Sequence, residues 1–167
     1  MVPDSWVWCK FTDLYLLISG RDLENSEYND KGLGIPYIIG ASNINNGEFN
    51  INRWTISPKV VSVKNDLLIT CKGTIGELVI NSMDEIHIAR QIMAIRAIST
   101  IKVQYTKYCI HFFINGIKES AKGIIPGISR EDILNLLIPL PPIEEQKRIV
   151  KQIETTFQIL DSIQNNI

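Results

Sequence analysis

The chain has 167 residues, 45% of them hydrophobic and 21% charged, with a formal net charge of −1. That balance suits one globular domain plus an appendage and excludes a disordered chain. No apolar run reaches the roughly 18 residues of a membrane span, and the opening MVPDSWVWCK lacks the basic-then-apolar order of a signal peptide, so a cytoplasmic protein is expected.

Trp6 to Phe11 predicts a short strand, and Thr12-Asp13 caps a helical turn through Ile18. Residues 19–34 are polar and contain glycine, as a surface loop does. Ile35 to Ile39 predicts a strand broken by Gly40. Ala41 to Gly47 is dense in turn formers and ends in Asn-Gly. Strands are expected at Val60 to Val63 and Leu67 to Cys71, with a Lys64-Asn65-Asp66 turn between them. Lys72 to Gly76 is a glycine-bracketed loop. Leu78 to Ile80 and Gln91 to Ile98 continue the strand pattern. From Gln104 the period changes: Tyr105, Tyr108, Cys109, Phe112 and Gly116 fall at helical spacing, so Gln104 to Ser120 predicts a helix with its aromatics in the core. Gly123 to Gly127 is a loop. Ser129 with Asp132 resembles a capping box that opens a short helical turn.

The chain then changes character. In Ile138-Pro139-Leu140-Pro141-Pro142 each residue before a proline is pushed out of the helical region, so this is an extended, stiff elbow. Pro142 suits a first helical position, and Glu144 and Glu145 complement the positive helix end. Val150, Ile153, Phe157, Leu160 and Ile167 then alternate by 3 and 4, with Gln164 at the one polar position, and Ile149, Thr156 and Ile163 widen the stripe on one side. That is a coiled-coil seam. From Pro142 to Ile167 the helix extends about 39 Å, longer than one side of a small domain needs. Part of the stripe can pack on its own domain, and the rest calls for another helix. The expected division is a domain at 1–138 and a proline elbow with a pairing helix at 139–167. The fold class is α+β, a mixed α/β domain with a long C-terminal helix.

Charge is unevenly placed. Residues 51–130 hold 11 Lys and Arg against 5 Asp and Glu, while 1–50 hold 3 against 7. One basic face in the middle region, of the kind that meets nucleic acid, is one reading; scattered solvated lysines are the other. Cys9, Cys71 and Cys109 are far apart and sit among apolar residues, as buried thiols in a reducing compartment do. With only His87 and His111 besides, no spacing predicts a metal site. No phosphate loop, glycine-rich cofactor loop or Asn-Pro-Pro-aromatic tetrapeptide is present, and Cys71 lacks a neighbouring His. Pro3-Asp4 with Glu145-Gln146-Lys147 only loosely imitates a metal nuclease site. The residues therefore predict a binder with no catalytic group.

IPLPPIEEQKRIV, Ile138 to Val150, closely resembles the elbow-and-helix segment of the specificity subunits of type I restriction-modification systems. Upstream landmarks agree in order: Pro3-x-x-Trp6, Ser19-Gly20, Gly34 to Ile38 followed by an Asn-Gly region, Asp66 to Ile69 running into Gly73-Thr74-Ile75-Gly76, Gln91 before a strand, and the loop from Gly123 to Ser129. The resemblance covers essentially the whole chain. It implies a target recognition domain that reads one half of a split DNA sequence. It also implies a helix that pairs antiparallel with a second one to hold two such domains apart. Modification subunits would dock on it, supply S-adenosylmethionine and methylate adenine, and a restriction subunit would cut. The length is about half that of such a subunit. It fits a fragment, a truncated reading frame or a natural half-subunit that forms a homodimer, and the seam does not choose among them.

On that reading double-stranded DNA meets Lys and Arg through its phosphates and polar loop side chains through its base edges. The candidates are Ser42, Asn43, Asn45, Asn46, Arg53, Lys72, Gly73, Thr74, Arg90, Gln91 and Lys122. The partner-helix candidates are Val150, Ile153, Phe157 and Leu160. Ordinary turn geometry is the plain alternative for the Asn and Gly residues. Two other functions stay open. One is a protein-interaction module acting through its helix alone. The other is a recognition piece of a larger enzyme that fuses nuclease, methyltransferase and recognition domains.

Overall fold

The computed structural model describes residues 2–45, 47–120 and 127–165. Strand β1 (Val7–Lys10) runs into a one-turn helix α1 (Phe11–Leu14), and β2 (Tyr15–Ser19) follows. Strands β3 (Ile35–Ile38), β4 (Ile44–Asn45), β5 (Glu48–Phe49), β6 (Trp54–Thr55) and β7 (Val61–Val63) precede β8 (Leu67–Thr70), β9 (Leu78–Ile80), β10 (Glu85–Ile88) and β11 (Ile92–Ala97). Helix α2 (Val103–Ser120), the short α3 (Arg130–Leu134), β12 (Leu137–Leu140) and α4 (Ile143–Gln164) complete the chain. Among the described residues no helix is long and apolar enough to cross a membrane.

Two four-stranded sheets stack. One is antiparallel, in the order β2-β11-β8-β9. The other is mixed, in the order β6-β3-β10-β7, with β3 and β10 parallel. Strands β8 and β11 are covered on both faces over residues 67–69 and 92–95, which is why those stretches are apolar at every position. Leu67, Ile69, Met93 and Ile95 face a core shared with Ile110 and Ile114 of α2. Leu68, Ile92 and Ala94 point the other way, toward Ile38, Ile86 and Ile88 of the second sheet. The period-2 alternation of strand side chains splits one apolar run between two cores. α2, packed on the outer face, makes this a helix-sheet-sheet arrangement.

The helical turn predicted from Thr12 to Ile18 is corrected. Asp13 does cap a turn, its Oδ2 accepting the Lys10 N–H at 3.1 Å, but the helix stops at Leu14. Tyr15 to Ser19 instead pair with Ala97 to Met93. Burial alternates there, with Tyr15 and Leu17 inside and Leu16 half exposed. Pairing with a central strand outweighs one turn of local helix. The elbow also differs. Its first half is β12, which pairs antiparallel with β1, Val7 opposite Leu140 and Lys10 opposite Leu137. The strand crosses the expected boundary at residue 138, so the globular part reaches Leu140.

One polar network fixes the β7-β8 turn. Asp66 is 1% exposed. Its carboxylate accepts from Arg96 Nε at 2.9 Å and Arg96 Nη2 at 2.8 Å, and from Ser62 Oγ and the Val63 N–H. Asn65 beside it takes φ 70°, a value Asn tolerates. Asp66→Ala leaves two donors and the part-exposed Arg96 guanidinium without their acceptor, and stability should drop by about 2–3 kcal/mol, read as a shift of the urea midpoint at constant slope.

His87 is a buried polar member of β10. Its Nδ1 accepts the Val60 N–H at 3.2 Å, which leaves Nε2–H to donate to the Arg21 carbonyl at 2.9 Å. The ring leans on Tyr37 at 4.9 Å. Burial, the largest cause, pulls its pKa below the ordinary value, because the charged form loses solvation. The unfolded chain then binds the proton more tightly than the fold. Stability contributed by neutral His87 is complete above about pH 6.5 and declines as pH falls through the lower folded value. Thermal melts from about pH 7.5 to about pH 5 should show this decline, and His87→Gln should flatten it.

Candidate nucleic-acid interface

Loops from both sheets converge on one edge. The turn joining β10 to β11, residues 89–91, is the hub. Ala89 N donates to Ile38 O at 2.9 Å, which ties in the loop after β3. Cys71 N donates to Gln91 O at 2.8 Å, which ties in the loop after β8. Arg21 N donates to Ile88 O at 3.0 Å, and Arg90 closes an ion pair with Asp22 at 2.8 Å, which ties in the loop after β2. The segment before α3 joins through Ile128 N, which donates to Cys71 O at 3.1 Å.

At the centre lies the half-buried side chain of Gln91. Gly40 forms one wall: a Cβ there would stand 2.5 Å from Gln91 Oε1. Gly73 forms the other, its Cβ position 3.7 Å from the same oxygen, at φ 74°. The Gln91 amide makes no hydrogen bond to the described residues, so its donors and acceptor are available to a ligand. Ser42, Lys72, Gly73, Thr74 and Arg90, carried on the loops that meet here, are exposed, and Lys72 has no ion pair among the described residues. Three loops called out separately in the sequence thus become one polar rim.

Other candidates are placed differently. Asn43 is 3% exposed. Its Oδ1 accepts the Ile39 N–H at 3.0 Å and its Nδ2 donates to Asn50 O at 2.9 Å, so it clamps its own loop instead of facing outward. Asn45 is exposed at the end of β4, opposite Glu48. Arg53 lies 4.8 Å over the Tyr28 ring, at the end of a stack that runs on through Tyr37 to His87. Asn46 and Lys122 lie outside the described residues, as does most of the loop from Gly123 to Gly127.

The cations of residues 51–130 do not form a single unpaired face. Lys59 pairs with Glu27 at 2.6 Å, Arg90 with Asp22, and Arg96 with Asp66. The sequence reading missed Gly40, which looked like a simple strand break, and Asp22, which sets the Arg90 side chain. Burial raises the Cys71 thiol pKa, which disfavours a nucleophilic thiolate. Among the described residues no group of three His, Cys, Asp or Glu side chains is placed to hold a metal.

The helix completes the picture. Gln146 is 1% exposed and anchors α4: its Oε1 accepts the Lys102 N–H at 2.9 Å and its Nε2 donates to Pro141 O at 3.0 Å. Val150 and Ile153 are half-buried near α2, whereas Phe157 and Leu160 are 55% and 53% exposed. Half of the predicted seam is thus partly covered by its own domain and half is bare; Ile167 lies outside the described residues.

Residues 3–167 match the type I restriction modification DNA specificity domain. The chain belongs to that family. This specificity domain is 24% identical over 167 residues to the type I restriction enzyme MjaX specificity subunit sequence of Methanocaldococcus jannaschii, covering 96% of this chain and 38% of that one. It is 29% identical over 149 residues to the type I restriction enzyme EcoBI specificity subunit of Escherichia coli, covering 78% of this chain and 30% of that one. A solved chain from a structure of type I restriction-modification complex assembly superposes with a TM-score of 0.88 at 25% identity, over 99% of this chain and 42% of that one. The specificity domain therefore spans less than half the length of these relatives. The likeness bears out the α+β class and the resemblance stated from IPLPPIEEQKRIV, and it favours DNA specificity over the two other functions left open above.

Proposed function

We propose that this chain reads one half of a split DNA target and carries no catalytic group itself. A modification subunit docked on it supplies S-adenosylmethionine and methylates adenine, and a restriction subunit joins the full complex. The observation that supports this most is the rim around Gln91, where an amide with no hydrogen bond among the described residues sits between two glycines, on loops that also carry Ser42, Lys72, Thr74 and Arg90. Glycine walls let a phosphate or base edge approach the backbone closely, and an amide can offer two hydrogen bonds to adenine. Lys72, with no ion pair among the described residues, meets a phosphate. The bare half of α4 pairs with a second helix, from a second repeat or a second copy, and fixes the spacing between the two half-targets.

Lys72→Ala tests the rim. It should weaken binding to all duplexes alike and lower the slope of log K against log salt by about one, as measured by fluorescence anisotropy of a labelled duplex with the modification subunit present. An unchanged affinity and slope removes Lys72 from the interface.

A further inference from the structure

The turn that carries Gln91 is braced by the loop after β2. Gly20 lies so close to it that a Cβ there would stand 2.1 Å from the Ala89 carbonyl oxygen, and Gly20 N donates to Ile92 O at 3.0 Å. Arg21 is held at both ends of its backbone: its N–H donates to Ile88 O, and its carbonyl accepts from Nε2 of the buried His87. Asp22 follows directly. Its Oδ1 accepts the Arg90 N–H at 3.0 Å, and its Oδ2 lies 2.8 Å from Arg90 Nε. One carboxylate grips the backbone and the side chain of the same residue. Neither Nη of Arg90 has a hydrogen bond or ion pair among the described residues. With side chains 70% and 45% exposed, the pair adds little to folding, so its consequence is orientation rather than stability.

We propose that Arg90 reads a guanine of the half-target and that Asp22 is the residue that positions it to do so, an inference that rests on the reading of the Gln91 rim as a DNA-contacting surface and goes beyond it by naming the base. The Asp22 pairing decides between phosphate and base. A phosphate contact draws on net positive charge, which an unpaired lysine such as Lys72 supplies. Arg90 shares its charge with Asp22, and that carboxylate repels a phosphate that comes near. A base edge carries no net charge. Guanine presents N7 and O6 side by side in the major groove, and the two Nη groups of one planar guanidinium can donate to both. A side chain already held at Nε also loses less freedom on binding than a loose one. Arg90 and Gln91, neighbours in one turn, then divide the two purines between them: the guanidinium takes guanine and the amide takes adenine.

Three variants of the full chain, each with the modification subunit present, test the assignment. Methylation mapping of the parent should give a motif with a G:C pair in the half-target that this chain reads. Arg90→Ala should leave that one position degenerate while the rest of the motif holds. Arg90→Lys keeps the charge but not the fork, and it should relax the same position. Asp22→Asn releases the guanidinium. In fluorescence anisotropy with duplexes of the mapped motif, the parent should prefer G:C over A:T at that position by at least about tenfold. Asp22→Asn should cut that preference by about threefold or more and steepen the slope of log K against log salt by about one, because one more positive charge then faces the DNA. A merely structural Asp22 would move neither the preference nor the slope, and circular dichroism should show all three variants folded. If Arg90→Ala instead weakens every duplex alike, lowers the slope by about one and leaves the motif intact, Arg90 contacts a phosphate and the proposal falls. It falls equally if the half-target holds no G:C pair, or if Asp22→Asn matches the parent in both preference and slope. Those results leave the DNA-reading function standing. A parent chain that directs no methylation at all overturns that function and this inference with it.

Discussion

Leu160→Glu leaves the isolated domain about as stable as its parent and destroys helix pairing. Leu160 is 53% exposed in the single chain, and surface substitutions of this kind shift stability by about 0.5 kcal/mol or less. In a paired helix the same side chain is buried against another seam, where an unpaired carboxylate costs several kcal/mol. A symmetric pair carries that cost twice, so association should weaken at least about 100-fold. Analytical ultracentrifugation reads the association, and urea unfolding reads the stability. The contrast with Gln146 is informative. Gln146 belongs to the same stripe but is buried within its own domain, so Gln146→Glu should destabilise the domain itself. If Leu160→Glu instead unfolded the domain without affecting association, the projecting half of α4 would be packing internally.

Gly40→Ala carries the second large effect, and it acts on DNA binding rather than on folding. The backbone at Gly40 is extended, with φ −177°, so any residue can adopt it. The obstacle is one side chain: the new Cβ would stand 2.5 Å from Gln91 Oε1. That oxygen is at the end of a three-bond side chain and can swing away at small cost, which takes the amide out of its slot. Affinity for duplex DNA should fall about tenfold, equivalent to losing about 1.4 kcal/mol, while the melting temperature stays near the parent value. Gln91→Ala should give the same loss, and combining the two should add little, because both remove one interaction. Full additivity would mean that Gly40 and Gln91 act on DNA separately.

Much of this architecture is legible from the residues alone, because the signals are local. Residues 67–69 and 92–95 are apolar at consecutive positions, as a strand covered on both faces is. Ser129 and Asp132 form the reciprocal cap their spacing predicts, with hydrogen bonds of 3.2 and 2.8 Å. The proline elbow marks the start of α4 to within one residue. What stays hidden depends on distant partners. Tyr15 to Ser19 look helical behind an Asp13 cap until β11 is beside them. Glu85 to Ile88 carry a Glu and a His, and nothing local shows that the His is buried on Tyr37 with both nitrogens bonded. Asn43 reads as a turn former because its role as a clamp needs Asn50, seven residues away. The candidate interface is the extreme case. Gly40 and Gln91 are fifty-one positions apart, and their contact exists only because β3 and β10 run parallel in one sheet.

The central claim is that the rim around Gln91 reads half of a bipartite target for an adenine methyltransferase. Mapping methylated adenine across genomic DNA, in cells that have the modification subunit with and without this chain, tests it directly. The account predicts a split motif that is methylated only when the chain is present and that is lost with Gln91→Ala. A methylation pattern identical in the two cell lines, or one that survives Gln91→Ala unchanged, would contradict it.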